Sequence, residues 1–322
     1  KIVNILADSM LEKPKEIVSP QISHRCYDLV IVLTVWKRDT ISIQLERIYS
    51  QTILGFTSVA IIVYQNSHHL NISSSLDFWK NKFASRSIPI THIHSSIETG
   101  YFGRFLSPLM VESCPNGIFI INDDDILFGQ KYYENMIRVV NEGFLCTRNG
   151  RVVRKTNTGF DESTHSIDFS EIPVIYNHDL ICDFGGHVWA GKIEWLRIVW
   201  QNPPLTLANS EDFWLSAVLK TKLGIQTKVP RCPHQPDSHI FNPEPCSCSM
   251  KIASKHENAV IGNQKAKHDL RISIILELSK FLNYQFLEET SPKDFLIFLN
   301  EPMKRNFVIA NNSWTSDCLY WD

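Results

Sequence analysis

Apolar runs of strand length recur through the first 122 residues, separated by amphipathic or polar stretches. Segments 28–34 (DLVIVLT), 59–64 (VAIIVY), 88–94 and 117–122 (GIFIIN) are dense in β-branched and aliphatic residues, as strands buried on both faces are. Residues 39–52 carry a helical pattern instead, with Ile41, Ile43, Leu45, Ile48 and Tyr49 supplying an apolar side. Strand, helix, strand, short connection and strand predict βαβ units, a largely parallel sheet and an α/β fold. Ligands of such sheets bind beyond the carboxyl ends of the strands. The fourth strand ends there in Asp123-Asp124-Asp125.

The second half follows a different pattern. Residues 131–141 read as a helix, and 143–154 as a strand or a hairpin with Asn149-Gly150 at its turn. Residues 155–180 are polar and loop-like, and Asp212 to Leu223 reads as a helix. The stretch 230–248, rich in proline and cysteine, reads as irregular, whereas 268–283 and 292–299 have apolar helical faces. No repeat or flexible linker interrupts the chain. The expected organisation is a lead-in over 1–27, one half over 28–142 and a second half with C-terminal helices over 143–322, all one continuous domain.

Three adjacent carboxylates at a strand end repel one another and are costly to hold without a counter-charge. A hard divalent cation, Mn²⁺ or Mg²⁺, takes oxygen ligands and keeps positions open for phosphates. The spacing Asp123-x-Asp125 is that by which GT-A nucleotide-sugar glycosyltransferases hold such a metal, with a solvated acidic turn as the plain alternative. Which two of the three bind the ion stays open. Glu211-Asp212 follows Ser210, a good N-cap, and opens an apolar helix, so simple capping accounts for the pair. Beside the triple aspartate it also fits a base or acceptor-positioning carboxylate, Asp212 first and Glu211 as the alternative. In Gly100-Tyr101-Phe102-Gly103-Arg104-Phe105 the glycines permit close backbone approach and Arg104 can grip a diphosphate or nucleobase. Gly185-Gly186-His187-Val188-Trp189-Ala190-Gly191 reads either as a tight turn packed by Trp189 or as an acceptor subsite, with Gly186 and His187 leaving room beside a sugar-stacking Trp189. Cys232 to Cys248 either holds a structural Zn²⁺ or forms a disulfide-tied loop lending His239 or His234 to the catalytic metal.

The 32 basic and 34 acidic residues leave a net charge of −2, so no global field favours nucleic acid. The eight cysteines are compatible with a few disulfides, and sequons at Asn71 and Asn311 point weakly the same way, to a lumenal compartment. No apolar run is long enough to span a membrane, and the chain opens at Lys1, so any targeting segment or anchor is expected outside it. Homo-oligomers are compatible with the sequence.

In this order the motifs resemble the exostosin-like glycosyltransferases, over roughly residues 28 to 250. Lys37-Arg38-Asp39 resembles the family's donor-base contacts, and Val63-Tyr64-Gln65-Asn66 its second strand. Gly103-Arg104-Phe105-Leu106 is similar to a nucleotide-touching Asn-Arg-Phe segment, with Gly103 in place of the asparagine. Asn122-Asp123-Asp124-Asp125 matches the metal motif, Ser210-Glu211-Asp212 the Cys-Glu-Asp segment facing the acceptor, and Pro230-Arg231-Cys232-Pro233 is similar to a late cysteine-bearing loop. The resemblance implies a GT-A fold, a Rossmann-like mostly parallel sheet with a smaller acceptor-side sub-sheet. It also implies a nucleotide-sugar-binding half over 28–142, a UDP-sugar donor, Mn²⁺, a glycan or glycoconjugate acceptor and the Golgi or ER lumen. Hexosyl or N-acetylhexosaminyl transfer would follow, with Asp124 on the ribose or donor sugar; the resemblance leans towards retention, whereas a generic GT-A enzyme with a carboxylate base would lean towards inversion. The rivals are a nucleotidyltransferase, disfavoured because Trp36-Lys37-Arg38-Asp39 lacks a Gly-rich phosphate loop, and a non-catalytic glycan-binding relative.

Overall fold

A computed structural model of the chain describes residues 26–36, 38–55, 57–66, 70–95, 99–157, 165–171, 179–207, 209–231, 249–251 and 264–287. The first half runs β1 (Tyr27–Val35), α1 (Ile41–Tyr49), β2 (Val59–Gln65), α2 (Ser73–Ala84), β3 (Ile90–His94), α3 (Gly103–Leu106), β4 (Ser113–Asn122), β5 (Ile126–Phe128) and α4 (Tyr132–Asn141). The second continues with β6 (Leu145–Asn157), β7 (His165–Glu171), β8 (Leu180–Cys182), β9 (Phe184–Lys192), α5 (Ile193–Trp200), α6 (Glu211–Leu223), β10 (Thr227–Val229), β11 (Ser249–Lys251) and α7 (Gln264–Leu282).

One sheet crosses both halves in the order β3-β2-β1-β4-β9-β6-β10-β8, and β7 pairs with β6 off this path. The strands β3, β2, β1 and β4 are parallel neighbours. Strand β9 runs against both β4 and β6, and β10 lies parallel to β6. Most strands therefore point one way, and helices flank the sheet, as the GT-A resemblance implied. A second, two-stranded sheet pairs β11 with β5. The aliphatic run Leu29–Leu33 on β1 and Phe119–Ile121 on β4 is buried, which is why those strands read as unbroken apolar blocks.

Four sequence readings change. Asn149-Gly150 is not a hairpin turn: β6 runs straight through it, with Asn149 paired to Gly186 and Gly150 to Gly185. A Cβ on Gly150 would lie 2.8 Å from the Cys182 sulfur, so the glycine serves close strand packing rather than a bend. The polar region 155–180 is not loop throughout, because β6 extends to Asn157 and pairs antiparallel with β7. Helix α2 falls where the sequence suggested only a connection, although Leu76, Trp79 and Phe83 form a buried helical stripe. Helix α5 is likewise new, burying Trp195, Leu196, Val199 and Trp200. The expected helix at 292–299 and almost all of the lead-in lie outside the described residues.

A disulfide joins Cys26 to Cys114, 88 residues apart, at the starts of the adjacent parallel strands β1 and β4. Closing a loop of this length restricts the unfolded chain by up to about 4–5 kcal/mol in the chain-entropy model. Cys114→Ser is expected to lower the urea midpoint by an amount equivalent to about 2–4 kcal/mol without changing the fold; equal midpoints for reduced and oxidised protein would remove the disulfide from the list of stabilising contacts.

Asp183, between β8 and β9, is a second structural tie that no local motif announced. Its carboxylate accepts the N–H groups of Val153 (2.9 Å) and Leu287 (2.9 Å) and the Tyr284 hydroxyl (3.2 Å). Burial outweighs these bonds and pushes its pKa from 3.8 up to about 6. A carboxyl whose pKa is raised on folding favours the native state at low pH, and that advantage is lost as pH rises from about 4 to about 6. Asp183→Asn sets an amide against two backbone donors and is expected to destabilise the protein. Because the wild type alone loses the carboxyl's contribution, the gap between the two proteins should narrow as pH rises through that window. A pH-independent gap in urea unfolding would contradict this account.

Candidate active site

The aspartate turn is held from beneath by the first helix. Gln44 Nε2 donates to the carbonyls of Asp123 (2.6 Å) and Ile126 (3.1 Å), and Thr40 Oγ1 donates to that of Asp124 (2.5 Å). Inside β4, Asn122 Nδ2 donates to the Val32 carbonyl (3.2 Å) and the Tyr133 hydroxyl (3.1 Å). The Asp123 N–H donates to the His187 carbonyl at 2.9 Å, extending the β4–β9 ladder by one step. The position of the turn is thereby fixed through backbone groups rather than through the three carboxylates.

A bulge in β9 supplies the next group. The β6–β9 register slips between Thr147 and Asn149, so two residues, His187 and Val188, oppose Arg148. His187 has a φ of 65°, in the left-handed region that a non-glycine residue seldom takes, a conformation suited to re-aiming a side chain. Its Nδ1 lies 3.2 Å from Asp123 Oδ2 and 4.0 Å from Asp125 Oδ1. Gly185 makes the bulge feasible, since a Cβ there would stand 2.0 Å from Thr147 Oγ1. One ligand atom each from Asp123, Asp125 and His187 falls within 4.8 Å of the others. Ligands about 2.1 Å from a small octahedral ion stand up to about 4.2 Å apart across it. A slight contraction would let the three close on one cation, and the two carboxylates suit Mn²⁺ or Mg²⁺.

Arginines balance the carboxylates. Arg104, 4% exposed, forks between Asp123 Oδ1 and Glu211 Oε1 (3.0 Å), with its guanidinium 4.4 Å from the Trp189 ring centre. Burial by itself would lower the Arg104 pKa, but Asp123 and Glu211 outweigh it and raise it. Burial would likewise raise Asp123, yet Arg104 and His187 hold it below the usual carboxylate range. Arg38 pairs with Asp124 Oδ1 and stands 3.7 Å from Asp125 Oδ2. Burial, opposed by Arg38 and reinforced by Asp123 and Asp125, pushes Asp124 up to about 6. Arg148, buried opposite the bulge, has its pKa lowered by burial against the pull of Tyr132, Asp125 and Asp123.

Glu211 and Asp212 open α6 beside this cluster. Ser210 does not cap the helix as its type suggested: its φ is 69° and its side chain makes no cap bond. Asp212 Oδ1 accepts the Phe213 N–H at 2.8 Å, and Asp212 Oδ2 pairs with Arg271 of α7. Burial and the neighbouring Asp212, opposed by Arg104 and Arg271, push Glu211 up to about 7.

Asp123, Asp124, Asp125, Arg38, Arg104, Glu211, Asp212 and His187 thus fall around one end of the sheet. Asn66 stands behind them, its Nδ2 on the Gly100 carbonyl (2.8 Å) and its Oδ1 near the Thr99 hydroxyl (3.2 Å), a tie between β2 and the loop before Arg104. The glycine at 103 also has a local reason: a Cβ there would lie 2.0 Å from the Tyr64 hydroxyl, so no asparagine fits. Trp189 is 1% exposed and its ring packs on Arg104 and Phe105, so it offers no open platform to a sugar. Gly186 sits on the bulge, 3.1 Å from Asn149 Oδ1 to a would-be Cβ. Lys37, His234 and His239 lie outside the described residues. Arg148, Arg271 and Gln44 carry no sequence signal of their own: Arg148 lies in a segment that reads as a strand or a hairpin, and Arg271 reaches Asp212 from 59 residues away with no motif around it.

No family model matches the chain, and no curated protein matches its sequence. Solved structures similar to it include a mannosyltransferase from Pyrobaculum calidifontis in complex with GDP-Man and Mn²⁺, at TM-score 0.43 and 14% identity over 73% of this chain and 65% of that one. GalNAc-T7 with UDP, GalNAc and Mn²⁺ gives TM-score 0.46 and 10% identity over 70% and 48%. S. aureus TarS 1–349 gives TM-score 0.43 and 10% identity over 64% and 61%. The chain spans less than two thirds of the length of each of these three proteins.

Proposed function

We propose that the chain is a metal-dependent glycosyltransferase of the GT-A type, moving a sugar from a UDP-sugar to a glycan or glycoconjugate acceptor. One observation carries the reading: Asp123, Asp125 and His187 converge within reach of a single ion, ringed by Arg38 and Arg104, at the carboxyl edge of the parallel strands. Asp123, Asp125 and His187 would hold Mn²⁺ or Mg²⁺. Such an ion, when bound, neutralises charge on a diphosphate leaving group. Arg104 and Arg38 add positive charge beside the same position. Asp124, held by Arg38, would meet the ribose or donor sugar.

Asp212 is assigned to the acceptor hydroxyl or the reacting carbon. Both of its oxygens are engaged, by the Phe213 N–H and by Arg271, which suits an electrostatic and positioning role better than proton removal. Glu211, pushed up to about 7, can hold or release a proton at neutral pH. The exostosin-like resemblance leans towards retention, and hexosyl or N-acetylhexosaminyl transfer is the finer reading. The Cys26–Cys114 disulfide and the exposed Asn71 sequon support a lumenal compartment.

Calorimetric titration of UDP, and then GDP, with Mn²⁺ and with EDTA tests the proposal. Nucleotide binding that depends on the metal is expected. No binding of either nucleotide under either condition would overturn it.

A further inference from the structure

Both oxygens of Asp123 are already in use: Oδ1 meets Arg104, and Oδ2 lies 3.2 Å from His187 Nδ1. A cation taking Asp123 as a ligand must therefore approach next to a buried guanidinium. Arg104 cannot withdraw into water, because it is 4% exposed, stacked on Trp189 and tied by its second nitrogen to Glu211 at 3.0 Å. Two cations so close repel strongly in a poorly solvated site. The guanidinium can leave Asp123 without cost only if another anion replaces it, and a nucleoside diphosphate is such an anion, well matched to its planar fork.

We infer that Arg104 is a latch on the metal site: it competes with the divalent ion for Asp123 and is released to the donor diphosphate, pivoting on Glu211, so that metal and nucleotide bind together and neither binds well alone. The inference rests on the proposed metal site and adds an order of events to it. By linkage, any factor by which diphosphate tightens the metal must equal the factor by which metal tightens the diphosphate. Arg104 is thus a positioning residue for the metal as well as a contact for the nucleotide, and its removal should move the two affinities in opposite directions.

The test is titration of Mn²⁺ alone, followed by electron paramagnetic resonance of the free ion, and repeated with UDP present. Arg104→Gln is expected to bind Mn²⁺ without nucleotide at least tenfold more tightly than wild type, to bind UDP less tightly, and to show a smaller coupling between the two. Arg271→Gln removes the same charge from Asp212 instead of Asp123, and its Mn²⁺ affinity should change less than threefold. Should Arg104→Gln fail to fold by circular dichroism, Arg104→Met carries the same test, because it keeps an unbranched side chain and removes the charge beside Asp123; it too should bind Mn²⁺ alone more tightly. Unchanged or weaker Mn²⁺ binding in a folded Arg104 variant, or an equal gain in Arg271→Gln, would overturn the latch while leaving the metal site standing. Absence of Mn²⁺ binding in every protein, with and without UDP, would overturn the metal site itself and the latch with it.

Discussion

Asp125→Ala is expected to reduce UDP affinity in Mn²⁺ to the value measured in EDTA. Asp125 is buried, lies 4.0 Å from His187 Nδ1 and shares the candidate ion with Asp123 and His187. Loss of an outer-shell partner typically costs about 10–100-fold in metal affinity, so loss of one of three protein ligands should cost at least about 100-fold. The fold should survive, because Arg38 keeps its bond to Asp124 and the turn is held through backbone carbonyls by Gln44 and Thr40. Metal-dependent UDP affinity equal to wild type would exclude Asp125 as a ligand.

Asp212→Asn should behave in the opposite way. Nucleotide binding should stay within a few-fold of wild type, since Asp212 meets Arg271 and the Phe213 N–H rather than the aspartate cluster. Sugar transfer should fall by about 10²–10⁴, the range associated with a positioned side chain acting on the reacting groups. Asparagine keeps the shape and the bond to Phe213, so a folding defect is not expected. Comparable losses in UDP affinity and in transfer would instead assign Asp212 to the donor side.

The exposure of these carboxylates to neighbouring charge explains why the site could be located from sequence more easily than it could be described. Three aspartates after an apolar strand are unusual enough to mark a strand end. The strand rule then fixes which end of the sheet carries the ligand. Glu211 and Asp212 were likewise visible as acidic residues opening an apolar helix. Their surroundings were not visible: Ser210 fails as a cap because its backbone is left-handed, and Arg271 arrives from another helix. His187 was read as part of an acceptor subsite because nothing in the local sequence reveals a register slip. A bulge exists only relative to the strand it pairs with.

Trp189 illustrates the same point from the side of burial. Small residues around a tryptophan suit an open sugar platform and a packed turn equally well. The neighbours decide, and Arg104 and Phe105 close over the ring.

The sequence by itself determined the parallel strand core, the sheet end that bears the chemistry and the carboxylates placed there, because unbroken aliphatic runs and adjacent like charges are properties of contiguous residues. Only the tertiary structure decided the partners: His187 beside Asp123, Arg104 between Asp123 and Glu211, Arg38 on Asp124, and Arg271 on Asp212. Those pairings join residues between 19 and 107 positions apart. Their energies depend on burial and distance, which chain order does not encode.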